Sequence, residues 1–269
     1  MQNVGLDEVK ITGGFWYDRQ TVNRRVSLEL LWDRATNEEK GYALDNFKIA
    51  AGLKNGEHQG VAWQDAWIYK WIETACYIYA ATGDESLARR MDFIIPIIAK
   101  AQEDDGYIAT QVTAGKFVGR WIRPDNHELY NMGHLLTAAA AHHRITGKTE
   151  LLDVANKVAA FCLKQFREHP GVMWEYPLNP SIIMGAVELY RTTRNKDGIE
   201  LARYIVDLRG SSYRGNETLP NWGRPEWGPL ESYQGGHDLY QNFIPLRKED
   251  EVVGHAVFYT YLYAGASDV

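Results

Sequence analysis

The stretch from His127 to His143, "HELYNMGHLLTAAAAHH", places two histidines, a glutamate, a tyrosine and an asparagine in two turns before it becomes small and apolar. His127, Asn131 and His134 stand at i, i+4 and i+7, a spacing that lines side chains up on one helix face. Glu128 and Tyr130 flank that stripe. Such a grouping of donors and acceptors at a helix start reads as one wall of a pocket. The alternative is a solvated helix start, with Glu128 complementing the helix dipole. His142 and His143, at the far end of the same stretch, read as surface residues.

Two other stretches invite comparison with the first. In "WQDAWIYKWIE", Asp65 is placed to cap a helix, Lys70 and Glu73 are one turn apart and able to pair, and Trp63, Trp67 and Trp71 recur every four residues. A tryptophan stripe of that period is ordinary core packing, or the floor of a sugar site. In "EDEVVGHAVFYTYLYAGA", Gly254 and His255 open an apolar, aromatic helix, with Tyr259 one turn beyond. A lone histidine on such a face is commonly a satisfied core residue, but its position repeats that of His127.

Several chemistries are absent from the pattern: no GxSxG elbow, no phosphate-binding loop, no GxGxxG after a strand and no HExxH pair. Glycoside hydrolysis requires two carboxyl groups flanking a bond. Asp65, Asp125, Glu128 and Glu231 are candidates whose pairing the spacing does not decide.

The elements that must position these groups are helix hairpins. Apolar residues recur at three- and four-residue intervals on both sides of a Thr-Gly turn, with Gly83 and Gly147 where a helix end favours positive φ. A third, degenerate copy spans "SIIMGAVELYRTTRNKDGIELARYIVDLRG", with Arg194 and Asn195 at the turn. Further helices are expected over about residues 19–36, 41–53 and 250–265, about nine in all. The first helix of each pair is rich in small and aromatic residues; the second, such as "DESLARRMDFIIPIIAK", is amphipathic. Inner and outer layers of an all-α (α/α)6-type toroid would produce that contrast, with an odd final helix left unpaired. Long connections follow residues 104 and 210, and the second reads as an ordered lid.

Composition narrows the setting. The 269 residues carry a net charge of −6, with 29 basic and 35 acidic residues spread along the chain, so nucleic acid and membrane surfaces are not expected partners. Cys76 and Cys162 stand alone as expected core thiols. The mixed opening "MQNVGLDEVKITGGFW" and the lack of a membrane-length apolar run lead us to expect a soluble, cytoplasmic protein. Nine Trp and sixteen Tyr suit a carbohydrate cleft.

Five ordered stretches then carry a resemblance: "WQDAWIYKWIE", "AQEDDGYIATQ", "HELYNMGHLLTAAAAHHRITGKTELLDVA", "VELYRTT" with "YIVDLRG", and "GHAVFYTYLYAGASDV". Together they resemble glycoside hydrolase family 127, the β-L-arabinofuranosidase family, over nearly the whole chain. The resemblance implies an (α/α)6 toroid followed by β-sandwich domains, with residues 1–269 forming a single, incomplete toroid domain. It also implies an exo-acting retaining mechanism, with a zinc-bound cysteine as nucleophile and a glutamate as acid/base. His127 and His255 match histidines that contact the sugar. Asp65 matches the first aspartate of a "DSD" pattern whose second position is Trp67 here, and Asn179 stands where a third histidine is found. Tyr130 and His134 complete the expected substrate-binding set.

The acid/base glutamate, the zinc-binding glutamate and the cysteines implied by the resemblance correspond to positions beyond Val269. This chain by itself is therefore expected to lack the zinc ligands and not to turn over by that mechanism. Two alternatives stand beside this reading. One is a toroid enzyme of the unsaturated uronyl hydrolase kind, with an acidic pair meeting at the cleft; the other is a catalytically silent sugar-binding fragment. The expected partner is a carbohydrate, and a homodimer is left open.

Overall fold

The computed structural model describes residues 9–37, 39, 41–117, 119–122, 124–173, 177–210, 241–242 and 244–269. All regular structure among them is helical. Helix α1 (Gly14–Val22) runs through a π-helical turn at Asn23–Ser27 into α2 (Leu28–Thr36), so the first expected helix begins five residues earlier than its periodicity suggested. Helix α3 covers Ala43–Ala50. Three hairpins follow. They pair α4 (Asp65–Thr82) with α5 (Glu85–Ala101), α7 (Glu128–Thr146) with α8 (Glu150–Glu168), and α10 (Ser181–Thr193) with α11 (Lys196–Leu208). Short helices α6 (Thr110–Thr113) and α9 (Pro170–Met173) lie in the connections. Helix α12 (Ala256–Ala266) starts six residues later than expected, because residues 250–255 are not helical. The expected lid falls largely in residues 211–240, which lie outside the described residues.

Each hairpin turn is built from its own sequence. Gly83 and Gly147 end α4 and α7 at φ 67° and 73°, and Arg194 takes φ 61° in the same role after α10. A side chain at positive φ is strained, so the degenerate third turn carries a local cost that the first two avoid. Asp84 and Asn195 then cap α5 and α11, accepting from the backbone N–H of Ser86 (3.1 Å) and Asp197 (3.0 Å).

The layers follow from residue size. Helices α4, α7, α10 and α12 pack side by side in that order as the inner layer, with α5, α8 and α11 outside them. Nearly all of α7 is buried, and its alanines 138–141 leave room for neighbours on both sides. Gly133 and Gly185 allow α7 and α10 to touch. A Cβ on Gly133 would lie 2.4 Å from the Ile182 nitrogen, and one on Gly185 2.3 Å from the Gly133 oxygen. Between the layers lie Trp71, Met91, Ile94, Ile98, Leu135 and Phe166, all fully buried. Each contributes about 1.5–3 kcal/mol relative to an exposed position.

At one edge, the stretch from α1 into α2 leaves Phe15, Trp16, Val22, Val26, Leu30 and Leu31 exposed. Leu28 and Trp32 turn inward. The Leu28 carbonyl accepts from Trp71 Nε1 at 3.2 Å, and the rings of Trp32 and Trp71 lie 4.5 Å apart.

Candidate functional site

The starts of the inner helices carry a file of rings. Trp63, just before α4, lies 4.9 Å from His127, and His127 meets Tyr130 edge-on at 5.6 Å. Tyr130 packs against His134 at 4.6 Å, and Tyr261 of α12 closes the group at 5.8 Å from His134 and 6.3 Å from Tyr130. The Tyr261 hydroxyl and His134 Nε2 are 3.3 Å apart. Lys70 reaches across from α4, donating to the Tyr130 hydroxyl with its ammonium 4.9 Å from the ring centre. Three inner helices thus supply one cluster of aromatic faces and hydrogen-bonding tips.

Burial sets the protonation states of the cluster. It pushes His134 down to about 3, helped by the Lys70 charge, and lowers His127 against a weaker opposing bond to the Asp125 carbonyl. Both imidazoles are therefore neutral at pH 7, each with one nitrogen able to accept. Burial also lowers Lys70, which the Tyr261 and Glu73 charges oppose, and it raises the Tyr130 hydroxyl.

The structure brings His127, Tyr130 and His134 together but not Asn131, whose amide serves the backbone. Its Oδ1 accepts from Ala66 N–H at 3.3 Å and its Nδ2 donates to the Ala62 carbonyl at 2.9 Å, fastening the entry of α4 to α7. Asp65 does not cap its own helix. It is the first residue of α4, fully buried, and both carboxylate oxygens turn to Thr110, one to its N–H at 2.8 Å and the other to its hydroxyl. Its task is to hold the start of α6. Lys70 pairs with Tyr130 rather than Glu73, and Glu73 accepts from Tyr77 at 3.2 Å. His142 is buried rather than exposed, with both ring nitrogens lacking a partner, because α7 continues as an inner helix to its last turn.

The other expected site residues are scattered around the cluster. Trp67 is half-buried one turn after Trp63, and among the described residues it is Trp63 that meets His127. Asn179, just before α10, is 6% exposed and its Oδ1 has no partner. His255 is exposed and caps α12, its Nδ1 accepting from Val257 N–H at 3.2 Å, with its ring stacked on Phe258 at 4.3 Å. Tyr259 stands one turn beyond His255 in the sequence. The residue of α12 that faces the cluster is Tyr261, set there by the rotation of α12 against α7.

Glu128 is likewise not a wetted first-turn carboxylate. It is fully buried, accepting from the Tyr107 hydroxyl at 2.5 Å and from Trp121 N–H at 3.1 and 3.2 Å. Burial pushes it up to about 7 and Asp65 to about 6. With every oxygen of both carboxyls engaged, neither offers the open acidic pair of a uronyl hydrolase. Glu231 lies outside the described residues.

Zinc finds no fit among the described residues. No three His, Cys, Asp or Glu side chains are grouped to hold a metal ion. Cys76 and Cys162 are fully buried against Met91 and Met132 at 3.5 and 3.6 Å. Burial pushes the Cys76 thiol up to about 12 and Cys162 higher still, the opposite of what a thiolate ligand requires. No helix among the described residues is long and apolar enough to cross a membrane.

Comparison with known proteins identifies the family of this fold. The family model described as "Beta-L-arabinofuranosidase, GH127 catalytic domain" matches residues 8–269. A non-reducing end β-L-arabinofuranosidase of Bifidobacterium longum subsp. longum is 30% identical over 97% of this chain and 43% of its own length. Among solved structures, a GH127 β-L-arabinofuranosidase from Geobacillus stearothermophilus T6 superposes with a TM-score of 0.83 at 31% identity, over 95% of this chain and 41% of that one. A GH127 β-arabinofuranosidase gives 0.78 at 28% identity, over 98% and 39%. The chain spans about two fifths of the length of these relatives. Its matched length and its all-helical architecture agree: the chain belongs to the GH127 β-L-arabinofuranosidase catalytic-domain family.

Proposed function

We propose that this chain forms the helical, sugar-recognising part of a glycosidase that removes β-L-arabinofuranosyl residues from the non-reducing end of its substrate. The observation that carries this reading is the file from Trp63 through His127 and Tyr130 to His134 and Tyr261. A furanose presents an apolar C–H face and a rim of hydroxyls. Trp63 and Trp67 offer flat apolar surface to the face, and neutral His127, with Tyr130 and Lys70, offers acceptors and donors to the rim. The unpartnered Oδ1 of Asn179 would accept from a sugar hydroxyl, and His255 would approach from α12. Relatives whose names specify β-L-arabinofuranosides support the choice of sugar.

No carboxyl pair or low-pKa thiol among the described residues is open to this cluster, so we assign it binding rather than bond cleavage. The test is titration of the chain with methyl β-L-arabinofuranoside while tryptophan emission is followed. Saturable quenching is expected, weakened about tenfold by His127→Ala, the loss of one well-placed hydrogen bond. An unchanged affinity in that variant would remove His127 from the site. Release of arabinose by the chain on its own would overturn the assignment of binding alone.

A further inference from the structure

Two non-glycine residues in the connection before α7 adopt left-handed backbone: Trp121 at φ 55° and His127 at φ 59°. Each costs about 1–2 kcal/mol relative to ordinary backbone and persists only where the surroundings hold it. The carboxylate of Glu128, next to His127 in the chain, reaches back to Trp121. It accepts from Trp121 N–H with both oxygens and from the Tyr107 hydroxyl with one, so the start of the connection is tied back to its end.

The rings around the carboxylate brace the same closure. Tyr107 and Trp121 meet edge-on at 5.8 Å, and Phe161 of α8 packs on both, at 5.6 and 6.1 Å. Arg120 lies over the Tyr107 ring at 4.1 Å and is itself held by Glu103 and Asp105. The left-handed turn then aims His127 at Trp63, while its Nδ1 is tied to the Asp125 carbonyl at 2.5 Å. From a right-handed first turn the imidazole would leave the helix in another direction.

We propose that Glu128 is a positioning residue: its carboxylate clasps the 121–127 connection and thereby holds His127 in the left-handed conformation that presents its ring beside Trp63. The carboxylate itself touches no sugar. The inference about His127 geometry stands apart from the proposed sugar, and it adds that the clasp serves recognition only if the binding reading holds.

Among the described residues, the titratable groups that act with the Glu128 carboxyl are Tyr107, Arg120 and Cys162, and the one that acts on His127 is Asp125. A substitution at the clasp can therefore be read at His127 itself. The experiment follows the His127 ring proton by NMR across pH in the wild-type chain, in Glu128→Gln and in Tyr107→Phe. Gln keeps the shape of Glu but offers one oxygen where Trp121 N–H and the Tyr107 hydroxyl now use two, and Phe removes one donor.

In the wild type, burial holds the His127 midpoint below the ordinary 6.5. In Tyr107→Phe, which removes a donor whatever the charge on Glu128, that midpoint is expected to rise toward 6.5 while His134, two turns further into α7, keeps its own; Glu128→Gln is compared by sugar affinity at about pH 8, above the raised midpoint of Glu128. Binding of methyl β-L-arabinofuranoside should weaken about tenfold in parallel. An unchanged His127 midpoint in folded Tyr107→Phe overturns the proposal, as does an unchanged affinity in Glu128→Gln or a joint movement of His127 and His134, which would mark general loosening of α7. If Glu128→Gln fails to fold, Tyr107→Phe decides. A shifted His127 midpoint in a chain whose wild type shows no sugar binding would support the clasp and sink the proposed ligand.

Discussion

His127 and His255 both precede an inner helix, yet the two helix starts are built differently. His255 has extended backbone, φ −72° and ψ 125°, and its imidazole caps its own helix. His127 sits at φ 59° and ψ 23°, makes no cap, and turns its ring to Trp63. One histidine stabilises its helix; the other is held in strain beside a tryptophan. The same residue at the start of two inner helices thus does two jobs, and the difference lies in what surrounds the backbone. A buried carboxylate ties down the connection before α7, whereas among the described residues the approach to α12 runs through an exposed stretch at Glu251–Val252.

The sharpest separation is expected from His127→Gly. Glycine accepts positive φ without strain, so thermal unfolding should move to higher temperature by the equivalent of about 1 kcal/mol while sugar affinity drops about tenfold. A variant that loses stability instead would show that the left-handed turn is not strained.

His255→Ala should remove a cap, costing about 1 kcal/mol and speeding hydrogen exchange in the first turn of α12. His255→Asn restores the cap. If that variant regains stability but not sugar affinity, His255 contributes to binding as well as to capping; if both return, it is a cap alone.

Two pH effects oppose one another. Burial lowers His134 to about 3 and His142 to about 4, so the unfolded chain takes up protons first and stability falls as pH drops below about 6.5. Burial raises Glu128 from 4.5 to about 7, so the folded chain holds the extra proton and stability falls as pH rises through that window. Denaturant midpoints measured from pH 4.5 to 7 should therefore climb more steeply with pH in Glu128→Gln than in the wild type. A flatter slope in that variant would contradict the buried, raised carboxyl.

The smallest effect is expected at the third hairpin. Arg194→Gly relieves a positive φ in an exposed turn and should raise stability by about 0.5–1 kcal/mol, read as a small rise in the unfolding midpoint.

How much of this was legible in the sequence differs by level. The hairpins, the two glycine turns and the division into small-residue inner and amphipathic outer helices follow from local periodicity and turn chemistry, and the structure shows all of them. That Tyr130 and His134 lie together was legible because helical spacing puts them one turn apart, whereas His127 joins them from a left-handed turn that the spacing does not show. The roles of Asn131, Asp65 and Glu128 were not, since each satisfies a group distant in sequence: the Ala62 carbonyl, the Thr110 N–H and the Trp121 N–H. Tyr261 escaped for a related reason, because spacing within α12 says which residues share a face but not which face meets α7.

The sequence by itself therefore determined the helices, their order and their layers, because those depend on backbone propensity and on the period of apolar residues. Only the tertiary structure decided which polar groups are withdrawn from water and which face the cluster. That choice depends on how closely α7 and α10 approach at Gly133 and Gly185, and on a connection folded back on itself by one buried carboxylate. Both are long-range packing events, in which a polar side chain is assigned a partner only after the helices have docked.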